Sequence, residues 1–419
     1  MSLRHQSYED YIAFQKKKTE DPVRRAKWLG EEWDIKLNGF MNEFKRFSSL
    51  LKPNSKVLCL GARTGQEVVA LKSLGVQDVT GIDIVPHEPH VVYGDIHDLE
   101  YANDTFDFVY TNIIDHSSNP TKMISEMERV LKRDGFALIQ TQIGLNQDEY
   151  TEFEIKNPFY DVIARFESSY CVHLGFINQD RSPNFAGMNF EFVFQKDSHL
   201  DSLLKNHGTM QTIMVPPEYV KIWSDINEKI QKEKARNSGL SDDDSKVILD
   251  KLSKRAYFLT CLAEEYDCKR IGEVGTAQGW QYYTFCKYLS SVDGKAYTCD
   301  PRDVRAKEYA NFYEVDAQIG TYVQGTSHDM SLICGELDMI YVDGLHDKGD
   351  VIKDVNALLK NQAQGKNTIW IFDDFDMRFG CFEDISQICQ ISRRFKIVNI
   401  GKTASGHESH QVIVCAKFM

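Results

Sequence analysis

The sequence predicts an α/β protein built of two Rossmann-like domains. Each is a mostly parallel seven-stranded sheet with helices on both faces and a terminal antiparallel hairpin. Three observations carry this reading. One pattern occurs twice: Lys56-Val-Leu-Cys-Leu-Gly-Ala-Arg-Thr-Gly65 followed by Val79-Thr-Gly-Ile-Asp83, and Arg270-Ile-Gly-Glu-Val-Gly-Thr-Ala-Gln-Gly279 followed by Ala296-Tyr-Thr-Cys-Asp300. Each copy is an apolar strand, a glycine turn opening a helix, and a second strand ending in an acid, the front half of a nucleotide-binding βαβ unit. Strand and helix signals then alternate behind each copy, which implies a parallel sheet covered on both faces. Finally, a length of 419 residues suits two domains, at about 150 residues per domain.

The elements follow in order. Residues 1–52 read as an N-terminal helical lid, because aromatics recur every three or four positions in Tyr8-Glu-Asp-Tyr-Ile-Ala-Phe, Trp28-Leu-Gly-Glu-Glu-Trp33 and Phe40-Met-Asn-Glu-Phe-Lys-Arg-Phe47. Residues 53–197 form the first domain, with strands KVLCL, DVTGID, VVYGDI, FDFVYTNI and FALIQTQ. A helix at Met123–Leu131 is expected to end in the turn Lys132-Arg-Asp-Gly135. CVHLGFI and FEFVFQ, joined by the loop 178–189, form a hairpin that would put an antiparallel strand on the sheet edge. Residues 198–255 are charged and helix-prone and read as a linker, with a break or helix start at 237–245. Residues 256–419 repeat the alternation with KRIGEVG, KAYTCD, TYVQG, LDMIYVD, TIWIFDD, KIVNIG and HQVIVCAKF.

Composition narrows the function classes. The net charge of -13 argues against wrapping nucleic acid, which calls for a basic face. No apolar run approaches the ~20 residues of a membrane span. The N-terminus, MSLRHQSYEDYIAFQKKK, lacks the apolar core of a secretory signal. The ten cysteines are scattered without metal-like spacing and read as reduced core thiols of a cytoplasmic protein.

The glycine turns point to the cofactor. Neither copy has the GxGxxG of a hydride-transferring domain, which weighs against the rival reading of a nucleotide-binding oxidoreductase. The second copy has Glu273, Gly275, Ala277 and Gly279, with Asp300 placed to bind a ribose diol. The acid can meet a cationic group, so a cofactor with a positive centre and no pyrophosphate fits better than NAD. This order of glycines, acids and terminal hairpin resembles the class I S-adenosylmethionine-dependent methyltransferases, over nearly all of both halves.

The resemblance implies one S-adenosylmethionine per domain. In the first half it places Gly61 and Gly65 in the motif turn and Asp83 on the ribose. Asp95 and Ile96, in Gly94-Asp-Ile-His-Asp-Leu99, fall on the adenine-side turn. The first copy departs from the pattern, with Cys59 where the family has its motif acid and Arg63 where it has its middle glycine. Arg63 reads as a lid-binding or substrate-carboxylate residue, or as the mark of a domain kept for its shape. Phe106 to His116 resembles the strand-four stretch of small-molecule methyltransferases, which makes His116 a metal-free base or a simple loop histidine.

The second half adds acids. Asp343 and the pair Asp373-Asp374 follow apolar runs, so they fall at the carboxyl ends of adjacent strands, where open α/β sheets bind ligands. Such carboxylates repel one another unless protonated or bridged, and a hard divalent ion such as Mg²⁺ bridges them. This half resembles the metal-dependent O-methyltransferases of the catechol and macrolide- or sugar-modifying kinds. The resemblance implies Asp343, Asp373 and Asp374 as metal ligands, His346 as the catalytic base, and Ser327 and His328 as adenine neighbours. His407 and His410 read as solvated loop histidines. Together these residues imply O-methylation of hydroxyls on a sugar, glycan or other small diol acceptor, on which the lid aromatics would stack. The alternative is one active site in the second domain with the first as a binding or scaffold module.

Overall fold

The computed structural model describes residues 5–144, 149–178, 187–207, 215, 242–303, 305, 318–363, 368–392, 394–399 and 412–417. His407, His410, residues 179–186 of the hairpin loop and residues 237–241 of the expected break lie outside the described residues. The chain forms two compact units, Met1–Ser198 and His199–Met419.

In the first unit, the strands are β1 (Lys56–Leu60), β2 (Asp78–Asp83), β3 (Val91–Tyr93), β4 (Phe106–Thr111), β5 (Leu131–Thr141), β6 (Ser169–Phe176) and β7 (Phe190–Lys196). They lie in the order β3-β2-β1-β4-β5-β7-β6. The first five run parallel, and β7 pairs antiparallel with both β5 and β6. The antiparallel strand is therefore inserted between two strands rather than set outside them. Its residues Phe190 to Phe194 are all buried, which suits a strand covered on both faces. The turn expected at Lys132–Gly135 is absorbed into β5, which starts directly after the helix Pro120–Val130. The extra residues appear as a register shift opposite Phe106 and Phe108, with Asp134 at φ 60°.

Three helices precede the sheet: α1 (Tyr8–Glu20), α2 (Pro22–Leu29) and α3 (Trp33–Arg46). α1 is capped by Ser7, and α2 starts at Pro22 behind an Asp21 cap. Helix α4 (Gln66–Ser73) follows β1, and α3 packs against it. The aromatics of α3 turn inward. Phe40, Phe44 and Phe47 join Val57, Cys59, Tyr110 and Leu138 in one core cluster, and the Phe44 ring meets Tyr110 edge-on at 4.9 Å. Trp28 is buried as well, and it and Phe40 line the first unit's cavity, whereas Phe44 and Phe47 are packing groups.

A buried ion network fastens the helices to the sheet. Arg46 of α3 hydrogen-bonds Glu191 of β7 in a two-pronged pair and also holds Glu43. Burial alone would raise Glu191, but hydrogen bonds from His173, Arg46 and Gln140 outweigh it and bring its carboxyl down to about 2.

In the second unit, the strands are β8 (Arg270–Val274), β9 (Lys295–Asp300), β10 (Gly320–Gln324), β11 (Met339–Val342), β12 (Ile369–Phe372), β13 (Arg394–Asn399) and β14 (Val412–Lys417). Their order is β10-β9-β8-β11-β12-β14-β13, the first unit's order again. Helix α5 (Asp242–Glu265) leads into β8 and α6 (Trp280–Ser291) leaves it. The linker expected to end at residue 255 therefore ends inside a continuous helix. Ala256, Phe258, Leu259 and Leu262 of that helix are buried, which makes it part of the second unit. All ten cysteines are buried and free. Among the described residues, no helix is long and apolar enough to cross a membrane.

Because Glu191 titrates lower in the folded chain than unfolded, its contribution is present above its ordinary value and is lost as pH falls toward about 2. Chemical denaturation of the first unit's transition at pH 7, 4 and 3 is expected to show this loss, and Glu191→Gln to flatten it. An unchanged pH slope in the variant would refute the network's role.

Candidate functional site

The order of strands reverses beside β1 and beside β8, which opens a crevice at the carboxyl edge of each sheet. Both crevices are built alike. Gly61, Arg63 and Gly65 have φ of 70°, 44° and 88°, and Gly275, Ala277 and Gly279 have 92°, 43° and 92°. Three left-handed residues in five turn each strand sharply into its helix. The middle one has a side chain in both halves, a strain of about 1–2 kcal/mol for an L-residue. An acid steadies it. Arg63 N donates to Asp83 Oδ2 at 3.0 Å, and Ala277 N donates to Asp300 Oδ2 at 3.1 Å. The other oxygen accepts from Val85 N at 2.9 Å in the first unit and from Arg302 N at 2.9 Å in the second. Burial raises the Asp83 carboxyl above its usual range.

The turns after the third strands, β3 and β10, repeat as well. Gly94 N donates to Asp83 O at 3.1 Å and Gly325 N to Asp300 O at 3.1 Å. This sets Asp95 and Ile96 beside Asp83, and Ser327 and His328 just beyond Asp300. Ser327 is buried in the first turn of the helix Ser327–Ser331, whereas His328 is exposed. Asp95 accepts from the Tyr8 hydroxyl at 2.6 Å and from His97 N at 2.8 Å. Burial would raise Asp95, but the hydrogen bonds from His97 and Tyr8 outweigh it and hold its carboxyl below the usual range.

The buried acid near each turn sits on a different element. In the second unit it is Glu273, at the end of β8, 2% exposed, and bonded by Thr298 Oγ1 at 2.6 Å. Burial pushes it up to about 8. The first unit has Cys59 there. Its buried acid is Glu67, in the first turn of α4, 4% exposed and likewise pushed up by burial to about 8. Two residues past the last turn glycine, Glu67 corresponds to Gln281, whose amide is buried with no hydrogen-bond partner among the described residues. Sequence reasoning missed both, although their shared spacing from Gly65 and Gly279 was a readable signal.

A cavity of about 370 Å³ opens over the first turn, lined by Trp28 and Lys36 of the N-terminal helices, by Arg63 and Glu67, and by Asn112 and His116 beyond β4. A smaller one of about 60 Å³ continues to Asp83, Asp95 and Ile96. Residues of α1, α2 and α3 thus line this cavity. His116 Nδ1 lies 2.9 Å from Tyr150 O and its Nε2 lies 3.3 Å from Lys18 Nζ. Donation from Nδ1 to that carbonyl leaves Nε2 as the acceptor, facing the cavity's rim.

In the second unit, β11 and β12 bring four groups together. Asp343, His346 and Asp374 each offer a ligand atom, all within 4.8 Å of one another. His346 Nδ1 lies 2.9 Å from Asp374 Oδ2, a hydrogen bond that raises the imidazole to about 10. Asp373 is not in this set. Its Oδ2 is bonded by the Tyr341 hydroxyl at 2.6 Å and by Arg255, and its Oδ1 by Asp374 N at 2.9 Å. Arg255, from α5, also lies 3.6 Å from Asp343. Burial would lower the guanidinium, but Asp373, Tyr341 and Asp343 outweigh this and raise it. Two carboxylates and an imidazole, with positions left open, fit a divalent cation.

Two family models, each described as a methyltransferase domain, match the chain, one over residues 58–139 and the other over 273–375. The chain is a tandem of two class I methyltransferase domains. It is accordingly an S-adenosylmethionine-dependent methyltransferase. No curated protein matches it as a relative. Among solved structures, it is similar to an S-adenosylmethionine-dependent methyltransferase from Aquifex aeolicus, at 17% identity and a TM-score of 0.32, covering 44% of this chain and 97% of that one. The YcgJ protein from Bacillus subtilis is similar at 15% identity and a TM-score of 0.30, over 38% and 98%. The [4+2]-cyclase SpnF is similar at 14% and 0.31, over 38% and 80%.

A Cβ on Gly275 would stand 1.9 Å from Asp343 O, whereas one on Gly349, also at φ 92°, meets nothing within 4 Å. Gly349→Ala is expected to cost only the backbone strain of about 1–2 kcal/mol. Gly275→Ala is expected to cost more and to displace Asp343. Equal losses in chemical denaturation would contradict this packing.

Proposed function

We propose that this methyltransferase O-methylates hydroxyls of a sugar, glycan or other small diol acceptor, with one S-adenosylmethionine per unit and a divalent cation such as Mg²⁺ in the second. The observation that supports it most is the Asp343–His346–Asp374 set at the carboxyl edge, beside the second glycine turn. S-adenosylmethionine supplies an already activated methyl group when bound. A bound divalent cation acidifies a chelated hydroxyl.

The chain's own residues do the rest. Asp83 and Asp300 hold the turns and keep lone pairs for a ribose diol. Glu67 does in the first unit what Glu273 does in the second, a buried acid facing the methionine end of the cofactor. In the second unit the metal ligands are Asp343, His346 and Asp374. His346, turned onto Asp374, joins the donors instead of standing off as the base. Asp373 and Tyr341 hold Arg255, whose charge offsets the carboxylates that must gather there. In the first unit His116 Nε2 is the candidate proton acceptor. A purely binding role for the first unit is the second reading, favoured by Arg63 and Cys59 in its turn.

Mn²⁺ binding by electron paramagnetic resonance, paired with labelled-methyl transfer to saccharide and phenolic acceptors, tests this. Asp374→Ala and His346→Ala are expected to lose the metal, Asp373→Asn to retain it, and EDTA to abolish only the Asp343-dependent product. Turnover unchanged in EDTA, or Asp373→Asn losing metal as fully as Asp374→Ala, would overturn it.

A further inference from the structure

The first unit's cavity is cationic in a chain whose net charge is -13. Its wall holds Lys18, Arg24, Lys27, Lys36 and Arg63 against the acids Glu32, Glu67 and Asp115. Some of this charge is balanced. Lys27 and Lys36 share the single carboxylate of Glu32, at 2.8 and 2.7 Å, and Arg24 reaches Glu149 at 3.0 Å. Arg63 differs from these. Its guanidinium forms no hydrogen bond or ion pair among the described residues, and its carbon stands 4.3 Å from the centroid of the Trp28 ring. Lys36 Nζ lies 5.6 Å from that same ring.

Trp28 is thus a fixed platform for two cations. It is itself held, since Gln66 Nε2 donates to Trp28 O at 3.1 Å. The acids near Arg63 do not bond its guanidinium, although Asp83 and Glu67 both lie within its electrostatic reach. Asp83 already receives two backbone amides. Glu67 is pushed by burial to about 8 and so carries its proton at neutral pH. The methyl donor does not supply the missing negative charge, because its sulfonium and ammonium outnumber its one carboxylate.

We propose that the first unit holds its acceptor through an anionic group, a carboxylate or a phosphate, bound by the Arg63 guanidinium on its Trp28 platform. The planar fork matches either oxyanion bidentately. A cationic cleft with low-dielectric walls also concentrates such ligands from solution. The proposal rests on the reading of the first unit as a methyl-transfer site, and it makes Arg63 the specificity-determining residue there.

Calorimetric titration of the full chain, in S-adenosylhomocysteine and EDTA, with glucuronate, glucose 6-phosphate and glucose tests it. The charged probes are expected to bind about tenfold or more tighter than glucose, the scale of one charge-assisted hydrogen bond. Which charged probe binds better separates carboxylate from phosphate. Arg63→Gln is expected to remove the preference and Lys36→Met to weaken it, with S-adenosylhomocysteine still bound by the Lys36→Met variant. Charged probes no better than glucose would overturn it. So would an Arg63→Gln variant that loses S-adenosylhomocysteine but keeps the preference. If Asp83→Asn leaves S-adenosylhomocysteine stoichiometry untouched while the Arg63-dependent preference persists, the methyl-transfer reading fails and the anion site stands.

Discussion

A carboxylate holding a left-handed backbone turn is the interaction on which each half of this protein depends. The turn must pass from strand to helix within a few residues and keep its amides open to a ligand, which forces positive φ at alternate positions. Glycine relieves two of the three. The third carries a side chain, and its amide is fixed by the acid at the end of the neighbouring strand, Asp83 or Asp300. That bond ties the end of the second strand to the turn after the first. The carbonyl of the same acid receives the amide of Gly94 or Gly325, so the turn after the third strand is tied in as well. One residue thereby aligns three loops at the crevice.

Around this shared frame the two halves distribute charge differently. The second gathers carboxylates at the ends of β11 and β12 and offsets them with Arg255, drawn from the helix that precedes its sheet. The first gathers cations from its N-terminal helices and stacks Arg63 on Trp28. One arrangement suits a metal and a hydroxyl pair, the other an anion. The buried acid near the turn has also moved, from strand end in the second half to helix start in the first, where Glu67 follows a turn whose own strand carries Cys59 at the place of Glu273.

Much of this was legible from period and spacing. Each strand overlaps an apolar run that the sequence marks, although β5 also takes in the expected turn Lys132–Gly135, and Asp83 and Asp300 both end the second strand of their sheets. What sequence could not supply was contact across the fold. The placement of β7 between β5 and β6 depends on its burial on both faces, which a short apolar run does not distinguish from an edge. The aromatic stripe of α3 has the same period whether it packs on Tyr110 or waits for a sugar. Asp373 and Asp374 are neighbours with the same chemistry, yet a one-residue step sends Asp373 to Tyr341 and Arg255, and Asp374 to His346. Arg255 lies 118 residues from Asp373, so no local motif announces that pair.

The central claim is that one fold here carries two cofactor sites with different chemistry. Titration of the full chain with S-adenosylmethionine in EDTA tests it most directly. Two equivalents are expected without metal, with Asp83→Asn removing one and Asp300→Asn the other. A single equivalent, indifferent to Asp83→Asn, would contradict the account and leave the first unit a binding module.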